Sequence, residues 1–218
     1  MPTHNPTRLS FVRHGHVHNP EQVIYGRLPG FELSRDGRRQ VAHAAGYLDG
    51  VDLDALYVSP QLRAQQTAEI IGRAHPDLEI VTEPLINEVD SYFEGHPASE
   101  VEARGWDLYT GVDEGYETPI DVAARGWRFI RRVCREHRGA HTLAVSHGDV
   151  IAFAILRVMQ ESVEVARKRT LHRFGITDSY PVTASITTLT FRTKRPDEIP
   201  ELTYVKPYDG DLPQDELS

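Results

Sequence analysis

Short apolar runs alternate along this chain with longer segments in which apolar residues recur every three or four positions. The short runs are bounded by polar, glycine-containing or proline-containing stretches, which is the pattern of buried strands. They fall at residues 8–12, 53–59, 78–83, 141–146, 184–192 and 201–205. The longer segments between them predict amphipathic helices.

Three of the predicted helices have recognisable first residues. Ser34 is a typical N-cap for the helix that precedes the second strand. Ser59 is predicted to cap the next helix, with Pro60 at its first position. Thr118 and Asp121 resemble a capping box in which aspartate replaces the usual glutamate. The helix starts therefore agree with the positions that the periodicity gives.

Two later helices are expected to supply much of the core. In the helix that Thr118 opens, a stripe at helical spacing predicts the buried face: Ile120, Ala123, Trp127, Ile130 and Cys134. Cys134 on this stripe is expected to pack rather than to react. Residues 149–159 are apolar nearly all round, which predicts a buried helix, and Asp149 is predicted to cap it.

Strands that alternate with helices predict an α/β fold with a mostly parallel sheet covered on both faces. The length suits one substantial core, so residues 1–218 are expected to form a single domain with its core at about 8–192. Residues 88–117 are polar and weakly periodic, which predicts a lid-like insertion. The acidic, proline-containing segment 206–218 is expected to be a flexible tail.

Charge and composition exclude several classes of function. The formal net charge of −8 argues against a broad nucleic-acid-binding surface, although a local positive pocket remains compatible with it. No stretch approaches the roughly 18 consecutive apolar residues of a membrane span. The first residues lack a secretory pattern, and a single cysteine suits a reducing compartment, so a cytoplasmic location is expected. The sequence does not fix an oligomeric state.

Charged side chains and imidazoles follow four of the predicted strands. Arg13 and His14 come directly after the first strand, Arg63 after the second, Glu88 shortly after the third and His147 after the fourth. Because ligands bind beyond the carboxyl ends of the strands in such sheets, we expect these five side chains to meet at one rim.

This set of side chains is suited to phosphoryl transfer. Two guanidinium groups match the oxygens of a phosphate dianion, and a neutral imidazole among them is a competent nucleophile toward phosphorus. A second imidazole can share the charge that develops on the phosphoryl oxygens, and a carboxyl group can protonate the leaving oxygen. Such a site would work in two steps, through a phosphohistidine that water then hydrolyses.

The sequence resembles the histidine phosphatase superfamily, also called phosphoglycerate mutase-like. The resemblance rests on these motifs: VRHG (12–15), YGRLPGFELSRDGRRQVA (25–42), SPQLRAQQTA (59–68), INEVDSYFEG (86–95) and SHGD (146–149). Together they cover roughly residues 8–192. Each motif is short, but all of them occur in the family's order on the predicted strand ends.

The resemblance implies a three-layer α/β/α sandwich and a role for each of the five side chains. His14 would be the phosphorylated nucleophile, and Arg13 and Arg63 would clamp the phosphoryl group. His147 would complete the pocket. Glu88 would be the general acid and then the base for the attacking water.

The same resemblance implies further substrate contacts. Asn19, Gly26 and Arg27 lie in the family's substrate-contacting loop, and Gly148 lies where a backbone approaches the ligand closely. The family implies no metal and no cofactor. The implied activity is that of a histidine acid phosphatase-type phosphomonoesterase acting on a small-molecule phosphate ester.

Two alternatives remain open from the sequence. A phosphoglycerate mutase-type isomerase would use the same residues, but the stretch between Glu88 and His147 is short and lacks an RHYG-type run. A metal-dependent hydrolase would instead use the alternating histidines His14, His16 and His18 as ligands. The adjacent Arg13 disfavours a divalent cation there by charge repulsion.

Overall fold

The fold is built on a six-stranded mixed sheet in a computed structural model that describes residues 5–193, 195 and 197–209. The strands are β1 (Thr7–Arg13), β2 (Ala55–Val58), β3 (Ile80–Thr82), β4 (His141–Ser146), β5 (Ile186–Phe191) and β6 (Glu201–Val205). Their order across the sheet is β3-β2-β4-β1-β5-β6. The first four strands of this order are parallel, and β5 runs antiparallel to both of its neighbours. The predicted mostly parallel sheet is confirmed.

The two central strands carry the residues that matter most for the site. β1 pairs with β4 from Arg8 opposite His141 to Arg13 opposite Ser146. Just beyond that last pair, the backbone N–H of His14 donates to the Ser146 carbonyl at 3.0 Å. His14 and His147 therefore leave the sheet side by side.

Helices cover both faces of the sheet. They are α1 (Arg35–Leu48), α2 (Leu62–Gly72), α3 (Ala98–Glu102), α4 (Pro119–Glu136) and α5 (Gly148–Val158). Short 3₁₀ turns lie at Pro84–Ile86, Val165–Arg167 and Leu171–Phe174. Side chains of α1 and α2 pack with Val12 of β1, whereas α4 and α5 pack with Leu9 and Phe11 of the same strand. Since successive side chains of a strand alternate between its faces, this confirms the three-layer α/β/α sandwich.

Of the four predicted caps, those at Ser34 and Thr118 are confirmed, and those at Ser59 and Asp149 are not. The Ser34 side chain accepts from the Gly37 N–H, and the Thr118–Asp121 capping box is complete. Ser59 does not cap α2, which begins three residues later with Gln61 at the cap position. The Ser59 hydroxyl instead lies 2.6 Å from His147 Nε2. The Gln61 N–H also donates to the Ser59 hydroxyl at 3.4 Å, so the closer partner of this side chain is the long-range one.

The buried face of α4 differs from the predicted stripe. Ala123 and Ile130 are buried as expected, but Ile120 is 68% exposed. The buried face is centred instead on Val122, Arg125, Gly126, Phe129 and Val133. The prediction uses apolar residues alone, so the predicted stripe is rotated about the helix axis relative to the buried face. In α5, by contrast, every residue except Arg157 is buried, as its apolar surface predicts.

The segments outside the sandwich are only partly regular. Residues 88–117 contain α3 and a small apolar cluster in which Phe93 and Val101 pack against Ile24. At the start of the predicted tail, Tyr208 is 7% exposed and its hydroxyl donates to the Thr183 carbonyl at 2.5 Å, so that residue is packed. The rest of the tail, residues 210–218, lies outside the described residues. Within the described part of the chain, no helix is both long enough and apolar enough to cross a membrane.

Candidate active site

The five side chains predicted to meet at the sheet edge do so. They are Arg13 at the end of β1, His14 after it, Arg63 in the first turn of α2, Glu88 after the Pro84–Ile86 turn and His147 at the cap position of α5. None of them is more than 2% exposed. Two buried guanidinium groups, two imidazoles and one carboxylate therefore share a space from which bulk water is excluded.

The His14 ring is held with one nitrogen as a donor and the other as an acceptor. Its Nδ1 lies 2.8 Å from the Gly15 carbonyl, and the Arg63 Nε–H donates to its Nε2 at 3.2 Å. Because a guanidinium group can only donate, Nε2 carries the lone pair and Nδ1 carries the proton. Burial, followed by the charges of Arg63 and Arg13, holds the pKa of His14 well below its usual range. The ring is therefore neutral near pH 7.

Glu88 bridges the second arginine and the second imidazole. Its Oε2 accepts from Arg63 Nη2 at 3.0 Å and lies 3.0 Å from His147 Nδ1, while its Oε1 accepts from the Val89 N–H at 2.8 Å. Burial by itself raises the pKa of Glu88. The interactions with His147 and Arg63 outweigh burial, and the pKa lies well below its usual value. Glu88 is thus ionised in this state of the site.

His147 is fixed from both sides. Since Nδ1 faces a carboxylate, it is the donating nitrogen, and Nε2 accepts from the Ser59 hydroxyl at 2.6 Å. Burial lowers the pKa of His147 to about 4, although the Glu88 charge opposes that shift. His147 is therefore also neutral near pH 7. Ser59 is a site residue that the sequence analysis assigned to a helix cap.

Each guanidinium group is oriented by a carbonyl and an aromatic ring. Arg13 Nη1 donates to the Pro181 carbonyl at 3.0 Å, and its guanidinium carbon lies 5.5 Å from the centre of the Tyr180 ring. Arg63 Nη2 donates to the Gly26 carbonyl at 2.9 Å, and its guanidinium carbon lies 4.6 Å from the centre of the Tyr25 ring. Such contacts restrict the orientation of a planar cation, which pre-organises both groups toward the same space.

Two further predicted contacts belong to the loop between β1 and α1. The Asn19 side chain bonds both the N–H and the carbonyl of Val23 and so holds a turn within its own loop. Gly26 has a φ of +39°, and a Cβ at this position would lie 2.3 Å from Glu94 Oε1. Glycine is required there both by the backbone conformation and by the close approach of Glu94. The Gly26 carbonyl also accepts a hydrogen bond from Arg63, and this contact connects Gly26 directly to the site.

Arg27 and Gly148, the other two residues predicted to contact the substrate, contact groups of the protein in the structure. Arg27 donates to the Glu88 carbonyl at 2.8 Å and forms ion pairs with Asp90 and Glu117. At Gly148 a Cβ would lie 2.2 Å from the Tyr180 hydroxyl. The close approach that this glycine permits is therefore to a tyrosine of the protein itself.

The three alternating histidines do not form a common ligand set. The Nδ1 of His16 lies 2.9 Å from the Ser34 hydroxyl, and His18 is exposed. Among the residues that the structure describes, the cluster able to offer three ligand atoms within 4.8 Å of one another is His14, Glu88 and His147. The hypothesis of a metal held by His14, His16 and His18 is therefore wrong in its geometry.

Asp149 belongs to a buried network that the sequence analysis missed. It is 1% exposed and accepts from the Tyr109 hydroxyl at 2.6 Å, the Tyr180 hydroxyl at 2.8 Å and Lys168 Nζ at 2.8 Å. Lys168 also donates to the Trp106 carbonyl at 2.8 Å. The prediction that Asp149 caps α5 is wrong, because His147 holds that position and the carboxylate is bound to side chains far away in sequence.

Known proteins resemble this chain in sequence. The model of the histidine phosphatase superfamily (branch 1) matches residues 9–196. An uncharacterized protein of Mycobacterium tuberculosis is 36% identical over 148 residues, which cover 65% of this chain and 73% of that protein. The fructose-2,6-bisphosphatase TIGAR B of Danio rerio is 31% identical over 154 residues, covering 65% of this chain and 60% of that protein.

Solved structures share the fold over nearly the whole chain. The mycobacterial glucosyl-3-phosphoglycerate phosphatase Rv2419c has a TM-score of 0.71 at 22% identity, covering 91% of this chain and 97% of that one. The phosphoserine phosphatase of Entamoeba histolytica, solved with 3-phosphoglyceric acid, has a TM-score of 0.68 at 24% identity, with coverages of 90% and 95%. At these identities the likeness extends to the fold and not to the substrate.

Proposed function

The chain belongs to the histidine phosphatase superfamily, branch 1, and from that membership we propose that it hydrolyses a small phosphomonoester through a phosphohistidine on His14. The observation that carries the proposal is the state of that ring. Its Nδ1–H donates to the Gly15 carbonyl, and its Nε2 lone pair accepts from Arg63 Nε–H in a site that also holds the buried Arg13 guanidinium group. A neutral, oriented imidazole between fixed cations is the nucleophile that phosphoryl transfer requires.

In the first step, the phosphoryl group replaces Glu88 as the acceptor for Arg63. The dianion offers more oxygens to the guanidinium fork than the carboxylate does, and Arg13 supplies a second fork beside it. His14 Nε2 then forms a bond to phosphorus while the bond from phosphorus to the ester oxygen breaks. The neutral His147 ring and the two arginines stabilise the charge on the remaining oxygens.

Glu88 provides and then accepts the proton. Glu88 is ionised while Arg63 and His147 both interact with its carboxylate. A bound dianion competes for those donors and adds negative charge nearby, so the pKa of Glu88 rises and the carboxylate takes up a proton. That proton passes to the leaving oxygen. The carboxylate then removes a proton from the water that attacks the phosphohistidine.

Hydrolysis is favoured over isomerisation in this proposal. A mutase would pass the phosphoryl group to a second hydroxyl of a bound phosphoglycerate, and it would need groups that hold that molecule in place. The segment between Glu88 and His147 is short and lacks the RHYG-type run of the mutases that the chain resembles. Residues 88–117 are assigned the role of a lid, and the substrate is a small phosphate ester, in keeping with the names of the structural neighbours.

The proposal is tested with an aryl phosphate in the presence of a chelator. We expect turnover without added metal and an acid-labile phosphoenzyme, and we expect His14→Ala to lose both, with activity falling at least about 1,000-fold. The matched control is His18→Ala, an exposed histidine of the same loop, which should keep full activity. Undiminished turnover in His14→Ala would overturn the mechanism. Activity lost with chelator and restored by zinc would indicate a metal-dependent hydrolase instead.

A further inference from the structure

We infer that Arg27, Glu117 and Arg125 form a clamp that positions Glu88 for proton transfer. The inference rests on the proposed role of Glu88 as the general acid. None of the three clamp residues carries out chemistry in this scheme. They act on the backbone of the loop from which the carboxylate extends, so they are positioning residues.

Arg125 holds this loop from the α4 side. Its side chain lies on the buried face of α4 and the residue is 6% exposed. Its Nη1 donates to the carbonyls of Leu85 at 2.9 Å and Asn87 at 2.6 Å, and its Nη2 donates to the Glu88 carbonyl at 3.2 Å. One guanidinium group thus fixes three carbonyls within four consecutive residues, including that of Glu88 itself.

Arg27 reaches the same carbonyl from another element. Its Nε–H donates to the Glu88 carbonyl at 2.8 Å, and its Nη1 lies 3.2 Å from an Asp90 carboxylate oxygen. The Glu88 carbonyl therefore accepts from two guanidinium groups, one on α4 and one in the loop between β1 and α1. The adjacent Gly26 carbonyl accepts from Arg63. The loop that carries Arg27 therefore also contacts one of the two arginines proposed to bind the phosphoryl group.

Glu117 joins the two arginines. It accepts from Arg125 Nε at 2.6 Å and Nη2 at 3.1 Å, from Arg27 Nη2 at 2.9 Å and from the Asp90 N–H at 2.9 Å. A bidentate carboxylate–guanidinium pair fixes the plane of the cation as well as its position. The guanidinium groups of Arg27 and Arg125 meet at the Glu88 carbonyl, and the negative charge of Glu117 compensates the repulsion between them. Without Glu117 this repulsion would be compensated less. The carboxylate therefore sets how both arginines meet the loop.

The geometry of the loop decides where the Glu88 carboxyl group stands. A general acid must lie within hydrogen-bond reach of the leaving oxygen, and displacements of about 1 Å can cost on the order of 100-fold in rate. Loosening the clamp would leave several buried carbonyls without donors and allow the loop to relax away from Arg63 and His147. The proton-transfer step should then suffer more than the binding of the phosphoryl group.

The test compares kcat/KM for an alkyl phosphate with that for an aryl phosphate whose leaving group needs no proton. We expect Arg125→Lys and Glu117→Gln each to raise the aryl-to-alkyl ratio about tenfold, because only the alkyl leaving group depends on a well-placed acid. The matched control is Arg128→Lys, an exposed arginine on the same helix, which should leave the ratio within about twofold of wild type. Thermal unfolding is recorded for every variant. A purely structural role would lower both rates together and leave the ratio unchanged.

Glu88→Gln separates failure of the inference from failure of the proposed function. If Glu88→Gln does not raise the ratio, the acid assignment itself is wrong. If it does and neither clamp variant does, the clamp inference is overturned. Combining Arg125→Lys with Glu88→Gln should raise the ratio no further than Glu88→Gln alone, since both changes act on one step. Should Arg125→Lys fail to fold, Glu117→Gln, which changes the charge but little of the shape, carries the same comparison.

Discussion

Glu88 and Asp149 are both buried carboxylates beside the same strand ends, and each is paired with a buried cation. Arg63 Nη2 lies 3.0 Å from Glu88, and Lys168 Nζ lies 2.8 Å from Asp149. In burial and in pairing distance the two look alike. They differ in what their partners do besides contacting the carboxylate.

The donors to Asp149 hold segments of the fold together, and one of them, Tyr180, also lies with its ring centre 5.5 Å from the Arg13 guanidinium carbon. Two of them are the hydroxyls of Tyr109 and Tyr180, and the third is Lys168, which also donates to the Trp106 carbonyl. Burial, reinforced by the Asp149 charge, raises the pKa of both tyrosines well above the usual value, so their hydroxyls remain donors. The network ties two loop segments to the start of α5.

The donors to Glu88 also face the nucleophile. Arg63 donates to His14 as well as to Glu88, and His147 lies with its ring centre 5.1 Å from that of His14. A phosphate group at His14 can therefore exchange with the carboxylate for the same donors. Burial alone therefore does not distinguish a structural ion pair from a functional one. The distinction lies in whether a ligand can take over the partners.

The largest expected contrast concerns activity. Glu88→Gln should lower kcat/KM for an alkyl phosphate at least about 100-fold and affect an aryl phosphate much less, because the variant lacks the acid. Asp149→Asn should leave the ratio of the two rates near that of the wild type, with each rate normalised to the folded fraction of the variant. Initial rates on both substrates measure this contrast. Equal losses on both substrates in Glu88→Gln would move the acid role to another residue.

The Lys168–Asp149 pair, by contrast, should affect stability. Lys168→Met leaves the Asp149 carboxylate buried without its cation, so we expect the free energy of unfolding in urea to fall by about 3 kcal/mol. Adding Asp149→Asn to that variant should recover part of the loss, since an uncharged pair no longer needs the ammonium group. The control is Arg38→Met, which breaks an exposed ion pair with Glu32 and should cost less than about 1 kcal/mol. A cost for Lys168→Met as small as that of the control would remove the structural role.

The pH dependence of the free energy of unfolding should come from His147, the imidazole that is paired with Glu88. His147 has a pKa of about 4 in the fold, below its ordinary value of 6.5, so the unfolded chain binds a proton that the folded chain does not. The stability that results is fully present above about pH 6.5 and is lost as the pH falls toward 4. We expect a loss of about 3 kcal/mol over that window from this group. Urea titrations at several pH values should show that the free energy of unfolding depends less steeply on pH in His147→Asn than in the wild type.

Local sequence patterns predicted the strands, the helix starts at Ser34 and Thr118, and the meeting of five side chains at one rim. These features depend on spacings of a few residues and on the rule that parallel strands end at one edge. Ser59 and Asp149 were misread for the complementary reason. Both are short polar residues next to a helix start, and a cap is the local use of such residues. Their actual partners, His147 for Ser59 and Tyr109 for Asp149, lie 88 and 40 residues away along the chain.

Arg125 also has partners that local sequence patterns do not predict, and these partners determine which face of α4 is buried. A charged residue between Val122 and Phe129 argues against a buried face when apolar spacing is the only criterion. That residue is nevertheless buried, because Glu117 and three loop carbonyls satisfy its guanidinium group. The apolar pattern therefore gave a rotated stripe that included the exposed Ile120. An arginine flanked at three and four residues by large apolar side chains was the available signal for a buried ion pair.

The smallest expected effect is the proton that accompanies anion binding. Sulfate is a useful probe, since it stays fully ionised near pH 7 and any proton taken up must go to the protein. Titration calorimetry in buffers of different ionisation enthalpy should show uptake of about one proton or less per bound sulfate, because the dianion displaces Glu88 from Arg63 and raises its pKa. Glu88→Gln should abolish this uptake, and Asp149→Asn should retain it.

The calorimetric outcome discriminates between the residues of the site as well as between the two carboxylates. Uptake that persists in Glu88→Gln would assign the proton to an imidazole, and His14→Asn or His147→Asn would then identify which one. No uptake in the wild type would mean that Glu88 stays ionised beside the bound dianion, and its role as general acid would have to be abandoned. Uptake that disappears in Asp149→Asn would mean that the Tyr109–Tyr180–Lys168 network is coupled to the anion site, with the contact between Tyr180 and Arg13 as the connection.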